Sequence, residues 1–139
     1  MKDSYKFLEH SADIKVIATA KDFPSALKQV FYALREFLIS KKNPKISKKK
    51  NFVLKEKGET TEELVFNFFS SLLAEYEIRQ MIPVEINILK YRAKPPKLQA
   101  KIYLSDEIKQ KDQIKAVTYH ELKVKQTPKK TMITIIFDV

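Results

Sequence analysis

The chain has 139 residues, the size of one ordinary domain, and its 44% hydrophobic content is enough to form a core. It contains no Cys, which excludes disulfides, thiolate zinc sites, iron–sulfur clusters and Cys nucleophiles. A single glycine, Gly58, is too few for the glycine-rich loops that approach phosphates in dinucleotide- and nucleotide-binding folds. The two His are too few for a multi-histidine zinc site.

Basic residues exceed acidic ones, 27 to 17, for a net charge of +10. This balance suggests affinity for polyanions such as RNA. However, 24 of the 27 are Lys, whereas dedicated nucleic-acid readers favour the forked guanidinium of Arg. A lysine-rich surface is also typical of heat-adapted proteins, so the charge alone leaves both interpretations open. No apolar run reaches transmembrane length and the N-terminus has no apolar signal segment, so we expect a cytoplasmic protein.

The N-terminal third predicts two strands followed by a helix. Residues 5–8 and 14–20 are predicted strands, the second with period-2 alternation, separated by the mostly polar residues 9–13. The following helix has Asp22 as a candidate cap and Pro24 in its first turn, and its apolar stripe ends near Ser40.

A lysine-rich segment and a second helix follow. Residues 41–57 contain eight Lys and one Glu, and a short strand is predicted at 52–54. The second helix is predicted to begin at Thr60 or Thr61, because Thr60 and Glu63 match a capping box.

The C-terminal half predicts strands, beginning at Met81. A second strand is predicted at 98–104, a loop or short helix at 105–114, and a hairpin from 116–126 and 131–139. The element order predicts an α+β fold for residues 1–139: a single domain with a mostly antiparallel sheet and two amphipathic helices packed on it.

Two carboxylates stand out as candidate metal ligands. Asp13 lies in the polar break between the first two strands, and Asp138 is the penultimate residue of an apolar strand that ends at Val139. Asp138 with the terminal carboxylate, joined by Asp13, would form an oxygen cluster suited to Ca²⁺ or Mg²⁺. The alternatives are a turn residue at Asp13 and a frayed terminus at Asp138.

The remaining polar candidates are weak when taken one at a time. His10 and His120 lie in polar or alternating segments, where a single His more often makes a structural hydrogen bond. Lys115 directly precedes an Ala-Val-Thr-Tyr-His run that includes Thr118. No nucleophile is arranged with a base, so a hydrolase has the least support.

Three segments together resemble one family. The run from Tyr5 to Ile14 (YKFLEHSADI) resembles the N-terminal EHTADI signature of archease. Residues 114–120 (IKAVTYH) resemble its VKAVTYH segment, and residues 137–139 (FDV) resemble its FDV or FDI ending. The three occur in order from the start to the last residue, so the resemblance covers essentially the whole chain.

The resemblance implies a protein that is not itself an enzyme. The archease family assists the RtcB-type RNA ligase that joins tRNA halves, by promoting ligase guanylylation, sustaining multiple turnover and broadening nucleotide use. It implies a divalent-metal site, with calcium as the expected ion and with Asp13, Asp138 and a main-chain or terminal oxygen of Val139 as ligands. It also implies that Lys115 is a functional lysine, flanked by His10, Thr118 and His120.

The second helix departs from the family pattern. The family carries an acidic residue and a Glu where this chain has Asn67 and Ser71. Two other functions stay open: an RNA-binding module that uses the 41–57 segment, and a chaperone of another tRNA-modifying enzyme such as a methyltransferase.

Overall fold

A computed structural model of the chain describes residues 2–9, 12–39, 44–46 and 50–139. The two helices are α1 (Phe23–Ile39) and α2 (Thr61–Arg79). The seven strands are β1 (Ser4–Glu9), β2 (Asp13–Ala20), β3 (Lys50–Lys57), β4 (Ile82–Arg92), β5 (Lys97–Ser105), β6 (Ala116–Thr127) and β7 (Lys130–Asp138).

The strands form two antiparallel sheets. Sheet A has the order β1-β2-β7-β6, and sheet B has the order β3-β5-β4. The predicted α+β architecture, with two helices on antiparallel strands, is confirmed. Division of the strands into two sheets is a detail that hydrophobic alternation does not reveal, because alternation identifies a strand's buried face but not its neighbours.

Local signals account for where each helix begins. The carboxylate of Asp22 accepts a hydrogen bond from the Ser25 N–H at 2.9 Å, as the predicted cap of α1 requires. The Thr60 hydroxyl accepts from the Glu63 N–H at 3.0 Å, and the Glu63 carboxylate accepts from the Glu59 N–H at 3.3 Å. The first contact satisfies an N–H group that the first turn of α2 leaves without a helical partner, and the second satisfies the N–H of the residue before the cap.

One hydrophobic core joins both sheets and both helices. Helix α1 packs on β1, β2 and β7 of sheet A and on the edge strand β4 of sheet B, while α2 packs on β3 and β6. Phe69 of α2 meets Phe137 of β7 edge to face, with ring centroids 5.9 Å apart. Among the described residues, no helix is long and apolar enough to cross a membrane.

Strand β6 departs from regular pairing at a wide bulge. Thr118 lies opposite Ile136 and Lys123 lies opposite Thr134, so residues 119–122 of β6 face Ile135 alone. We call residues 119–122 the β6 bulge. Within it Glu121 has a φ of 58°, a left-handed conformation that is uncommon for residues other than Gly, Asn and Asp. The bulge therefore changes the directions in which the side chains of residues 119–122 point. These residues lie on β6, an edge strand of sheet A.

Candidate functional site: two opposed aspartates at one end of sheet A

The two candidate carboxylates lie directly opposite each other. Strand β2 pairs with β7 in a register that places Asp13 against Asp138, next to the buried pair Ile14 and Phe137. Because successive side chains point to opposite faces, the two aspartates share the outward face of sheet A. Directly opposed residues of antiparallel strands have Cβ atoms about 4.5–5.5 Å apart, which is close enough for both carboxylates to bind one ion.

The chain end is held in the sheet on both sides. The Lys115 N–H donates to the Asp138 carbonyl at 2.8 Å, and the Val139 N–H donates to the Ala12 carbonyl at 3.2 Å. Val139 is half-buried and packs against the core. The alternative of a frayed terminus at Asp138 is therefore not what the structure shows, and Val139 is bonded to the residue directly before Asp13.

An unsatisfied oxygen indicates that the site suits a cation. Asp13 Oδ1 is buried and has no hydrogen-bond partner within the part of the chain that the structure describes. Leaving a buried carboxylate oxygen without a partner is costly, and such an atom in a native fold calls for an ion, a water or a partner group. Oxygen donors from Asp13, Asp138 and Val139 are the ligand type that hard divalent cations prefer, so these residues fit the metal that the family resemblance implies.

The side-chain ligand set is small. Across residues 2–9, 12–39, 44–46 and 50–139, no three His, Asp or Glu side chains gather into a metal-binding group. A cation held by Asp13 and Asp138 would need a main-chain or terminal oxygen of Val139 and water to complete its shell. Such an open shell is typical of an ion that stays accessible to a ligand or partner.

An ion pair that sequence reasoning did not identify flanks the carboxylates. Lys15 follows Asp13 by two residues and so lies on the same outward face, and its Nζ is 3.0 Å from Glu121 Oε1 on the β6 bulge. The two side chains are 24% and 48% exposed, so the pair contributes little stability. It holds the Lys15 ammonium group near the aspartates. The period-2 pattern of 14–20 could have placed Lys15 on this face, whereas nothing local predicts the left-handed Glu121.

The structure describes three of the four other predicted residues. Thr118 lies on the outward face opposite Ile136, and its buried hydroxyl has no hydrogen-bond partner among the described residues. Lys115 is joined to Asp138 through the main chain, and its exposed side chain makes no hydrogen bond with any residue described. His120 belongs to the β6 bulge, is 80% exposed, and has its Nε2 3.7 Å from Glu121 Oε2. His10 lies outside the described residues.

The β6 bulge also presents an exposed aromatic side chain. The ring of Tyr119 stacks on Phe66 of α2, with centroids 4.0 Å apart and planes at 13°, yet Tyr119 remains 54% exposed. On the same strand the Val124 N–H donates to the Glu62 carboxylate at 3.0 Å. Helix α2 therefore supports the free edge of β6 and fixes the bulge beside the two aspartates.

The two family departures in α2 lie at its contact with β3. The Asn67 side-chain amide donates to the Lys57 carbonyl at 2.8 Å, and the Ser71 hydroxyl donates to the Glu56 carboxylate. Both residues attach α2 to the end of β3 instead of joining the paired aspartates. The substitutions are thus accounted for by helix–strand packing in this chain.

Comparison with known proteins agrees with this architecture. Residues 5–139 match the model of the Archease protein family (MTH1598/TM1083). The chain is 29% identical over 130 residues to a protein named archease from Pyrococcus abyssi, covering 89% of each. It is also 29% identical over 139 residues to a protein of that name from Thermoplasma acidophilum, covering 98% of this chain and 94% of that one.

Two solved structures share the fold at low sequence identity. The solution structure of Methanobacterium thermoautotrophicum protein 1598 has a TM-score of 0.70 at 15% identity, covering 97% of this chain and 98% of that one. The crystal structure of an archease, possible chaperone, from Thermotoga maritima has a TM-score of 0.64 at 21% identity, covering 96% of each. The family model spans both the opposed aspartates and the strands that hold them, and the chain belongs to the archease family.

Proposed function

We propose that this protein is a non-enzymatic cofactor of an RtcB-type RNA ligase, which it activates by promoting ligase guanylylation and multiple turnover. Membership of the archease family supports a cofactor role in general. The observation that carries the specific proposal is the pair Asp13 and Asp138, held opposite each other on an outward face with one buried oxygen unpartnered.

In this proposal Asp13, Asp138 and a main-chain or terminal oxygen of Val139 hold a divalent cation, most readily Ca²⁺. A bound cation would supply positive charge that offsets the charge of nucleotide phosphates. The chain's own contribution is to keep both carboxylates fixed by the β2–β7 register and to present them at one end of a sheet, where a partner can reach them.

Two lysines give this acidic site a cationic border. Lys15 is oriented by its ion pair with Glu121, and Lys115 is anchored by its own N–H on Asp138 while its side chain is exposed. Guanylylation needs the charge of a triphosphate to be neutralised and the phosphates to be oriented. We infer that the lysines contact phosphates or acidic groups in the ligase site and that the protein completes that site without making or breaking bonds itself.

The test measures ligase guanylylation and multiple-turnover RNA ligation with and without this protein. The variants are Asp138→Ala and Lys115→Ala, and we expect each to reduce stimulation at least tenfold. Asp3→Ala and Lys129→Ala are matched controls, because each removes the same charge near the opposite end of sheet A. The controls should stimulate as well as the wild type.

Undiminished stimulation by both site variants would contradict the proposal. Calcium or magnesium binding, measured by calorimetry on the protein alone, gives a second readout: Asp138→Ala should lose it and Asp3→Ala should keep it. A protein that prevents aggregation of an RNA methyltransferase but leaves ligation unchanged would instead be a chaperone of that other enzyme.

A further inference from the structure

The outward face of sheet B carries a dense set of cations that the proposed function does not use. On β5, Leu98 and Ala100 are buried while the alternating residues Lys97 and Lys101 point outward. The register extends this alternation to both neighbours, so that β3 and β4 present their own basic residues on the same face. We call the six outward cations the basic face: Lys55, Lys57, Lys90, Arg92, Lys97 and Lys101.

The basic face is arranged in aligned rows. Lys57, Lys97 and Arg92 form one row across all three strands. Lys55 and Lys90 flank Gln99 in the next row. Neighbouring strands are about 4.8 Å apart and residues i and i+2 about 6.7 Å apart, so the backbone positions of five basic residues lie within about 10 by 7 Å. A groove of about 660 Å³ is lined by five of the six cations and also by Glu56.

Carboxylates of the described chain leave these charges unneutralised. None of the six cations makes an ion pair with a described residue, whereas Lys50 nearby pairs with Asp106. Glu85, the outward acid at the other end of β4, accepts a hydrogen bond from the Tyr32 hydroxyl at 2.6 Å. Glu56 lies in the inward alternation of β3 and accepts from Ser71. Like charges this close repel one another, and a polyanion bound across them would relieve the repulsion.

The shape and chemistry of the face favour a phosphate backbone over bases. Single-stranded RNA readers stack bases on exposed aromatic rings, but the aromatic side chains here are engaged. Tyr91 stacks on Phe23 beneath the sheet, with centroids 4.9 Å apart. Tyr103 is 9% exposed and lies under the Lys101 ammonium, 5.8 Å from its ring centroid. Five of the six cations are Lys, which bind phosphates as point charges without reading sequence.

We propose that the basic face of sheet B binds the phosphodiester backbone of base-paired RNA, independently of sequence. The assignment to RNA, as distinct from other phosphate polymers, rests on the proposed function. Because the paired aspartates belong to sheet A and the basic face to sheet B, the chain can hold an RNA stem on one sheet and present the acidic site on the other.

Binding is measured by fluorescence anisotropy of a labelled 20-base-pair RNA duplex with this protein alone, between 50 and 300 mM salt. The wild type should show a log–log salt slope of about −4.5 to −5.5, as expected when five or six phosphates are neutralised. The variant Lys55→Gln/Lys57→Gln/Lys97→Gln should flatten the slope by about 3 and weaken binding at least tenfold at 100 mM salt. The control Lys123→Gln/Lys125→Gln/Lys129→Gln removes the same charge from exposed positions of the β6–β7 hairpin.

Three results would overturn the proposal. Equal loss of binding in the two triple variants would mean that net charge alone is responsible. Equal affinity for a DNA duplex of the same sequence would remove the assignment to RNA. Tighter binding to an acidic peptide such as polyglutamate, or to vesicles of anionic lipid, would assign the face to a protein or membrane partner.

The two proposals fail separately. Guanylylation of the ligase in the absence of RNA should be unchanged by the basic-face triple variant and reduced by Asp138→Ala. Duplex RNA binding should show the reverse pattern. Loss of RNA binding with intact ligase stimulation would therefore leave the proposed function standing, and the converse would leave the basic face standing.

Discussion

Replacing Gly58 by Ala should destabilise the fold, because the added Cβ would clash with main-chain atoms at the start of α2. A Cβ at this position would lie 2.4 Å from the Leu64 N, 2.9 Å from the Glu63 carbonyl carbon and 2.9 Å from the Thr60 O. Real Cβ atoms essentially never lie within 3.0 Å of a heavy atom outside their own and the adjoining residues. The β3–α2 junction must therefore open by at least 0.6 Å. None of these atoms can move by a rotamer change, because all three are main chain.

The clash falls on the hydrogen bond that starts α2. The Leu64 N–H donates to the Thr60 carbonyl at 3.0 Å, and the added methyl group would push into this pair. Overpacking costs about 1–3 kcal/mol. The weakened first turn adds about 1 kcal/mol, and the stiffer unfolded chain offsets about 0.4–1 kcal/mol. We therefore expect a net loss of about 1–3.5 kcal/mol.

Urea and thermal unfolding would measure this loss. At about 2.1 cal/mol/K per residue, a loss of 1 kcal/mol lowers Tm by roughly 3–4 °C in a chain of this length, so Gly58→Ala should lower it by about 3–12 °C. The neighbouring Glu59→Ala is a matched control, since Glu59 is exposed and should change stability by less than about 0.5 kcal/mol. Wild-type stability in Gly58→Ala would refute the reasoning.

Three further predictions concern polar groups in and around the core. Arg35 is 8% exposed and donates to the Val84 carbonyl at 2.9 Å. Arg35→Met should leave that acceptor unsatisfied and lower the free energy of unfolding, measured by urea titration, by about 1–3 kcal/mol. An unchanged unfolding midpoint would contradict this prediction. The hydrogen bond from Ser25 lowers the pKa of Asp22 below 3.8, so the stability that the Asp22 carboxylate contributes is present above about pH 4 and lost as pH falls through the folded pKa. Asp22→Ala should therefore lower the free energy of unfolding by about 1 kcal/mol at pH 7 and by progressively less in acid. A difference that does not change with pH would count against this reasoning. Burial and a hydrogen bond to the Glu36 carboxylate raise the pKa of Tyr5 to about 12, so the stabilising effect of the protonated Tyr5 hydroxyl is complete below pH 10 and is lost as pH approaches 12. In an absorbance titration, Tyr5→Phe should show one fewer late-titrating tyrosine than the wild type. An unchanged titration would refute the assignment.

The features that the sequence predicts correctly, namely the helix caps and the hairpin, depend on interactions between residues that are close together in the chain. Capping by Asp22 and Thr60 follows from short polar side chains that accept from helix N–H groups three residues on. The β6–β7 hairpin around residues 127–130 and the loop before it were predicted from turn residues and alternation, and both are present. Predicted strand 52–54 is longer in the structure, Lys50–Lys57, because charged residues occupy the outward face of sheet B and mask the alternation.

What the sequence could not predict depends on partners distant in the chain. The β6 bulge and the left-handed Glu121 arise where β6 must follow β7 on one side and contact α2 on the other. The Lys15–Glu121 ion pair joins residues 106 positions apart, and no local pattern in either segment signals it. The basic face likewise depends on three strands whose alignment is fixed only when sheet B assembles.

The register of β2 and β7 links the core to the proposed metal site. Ile14 and Phe137 are 1% and 0% exposed and face each other, so they set the pairing on the buried side of the strands. Because side chains alternate with period two, that pairing necessarily places Asp13 and Asp138 opposite each other on the outward side. A slip of β7 by one residue against β2 would turn Asp138 toward the core and Phe137 toward solvent, at a cost of several kcal/mol. Burial of two apolar side chains therefore sets the position of the two carboxylates, and the hydrogen bonds of Asp138 and Val139 hold the chain end in that register.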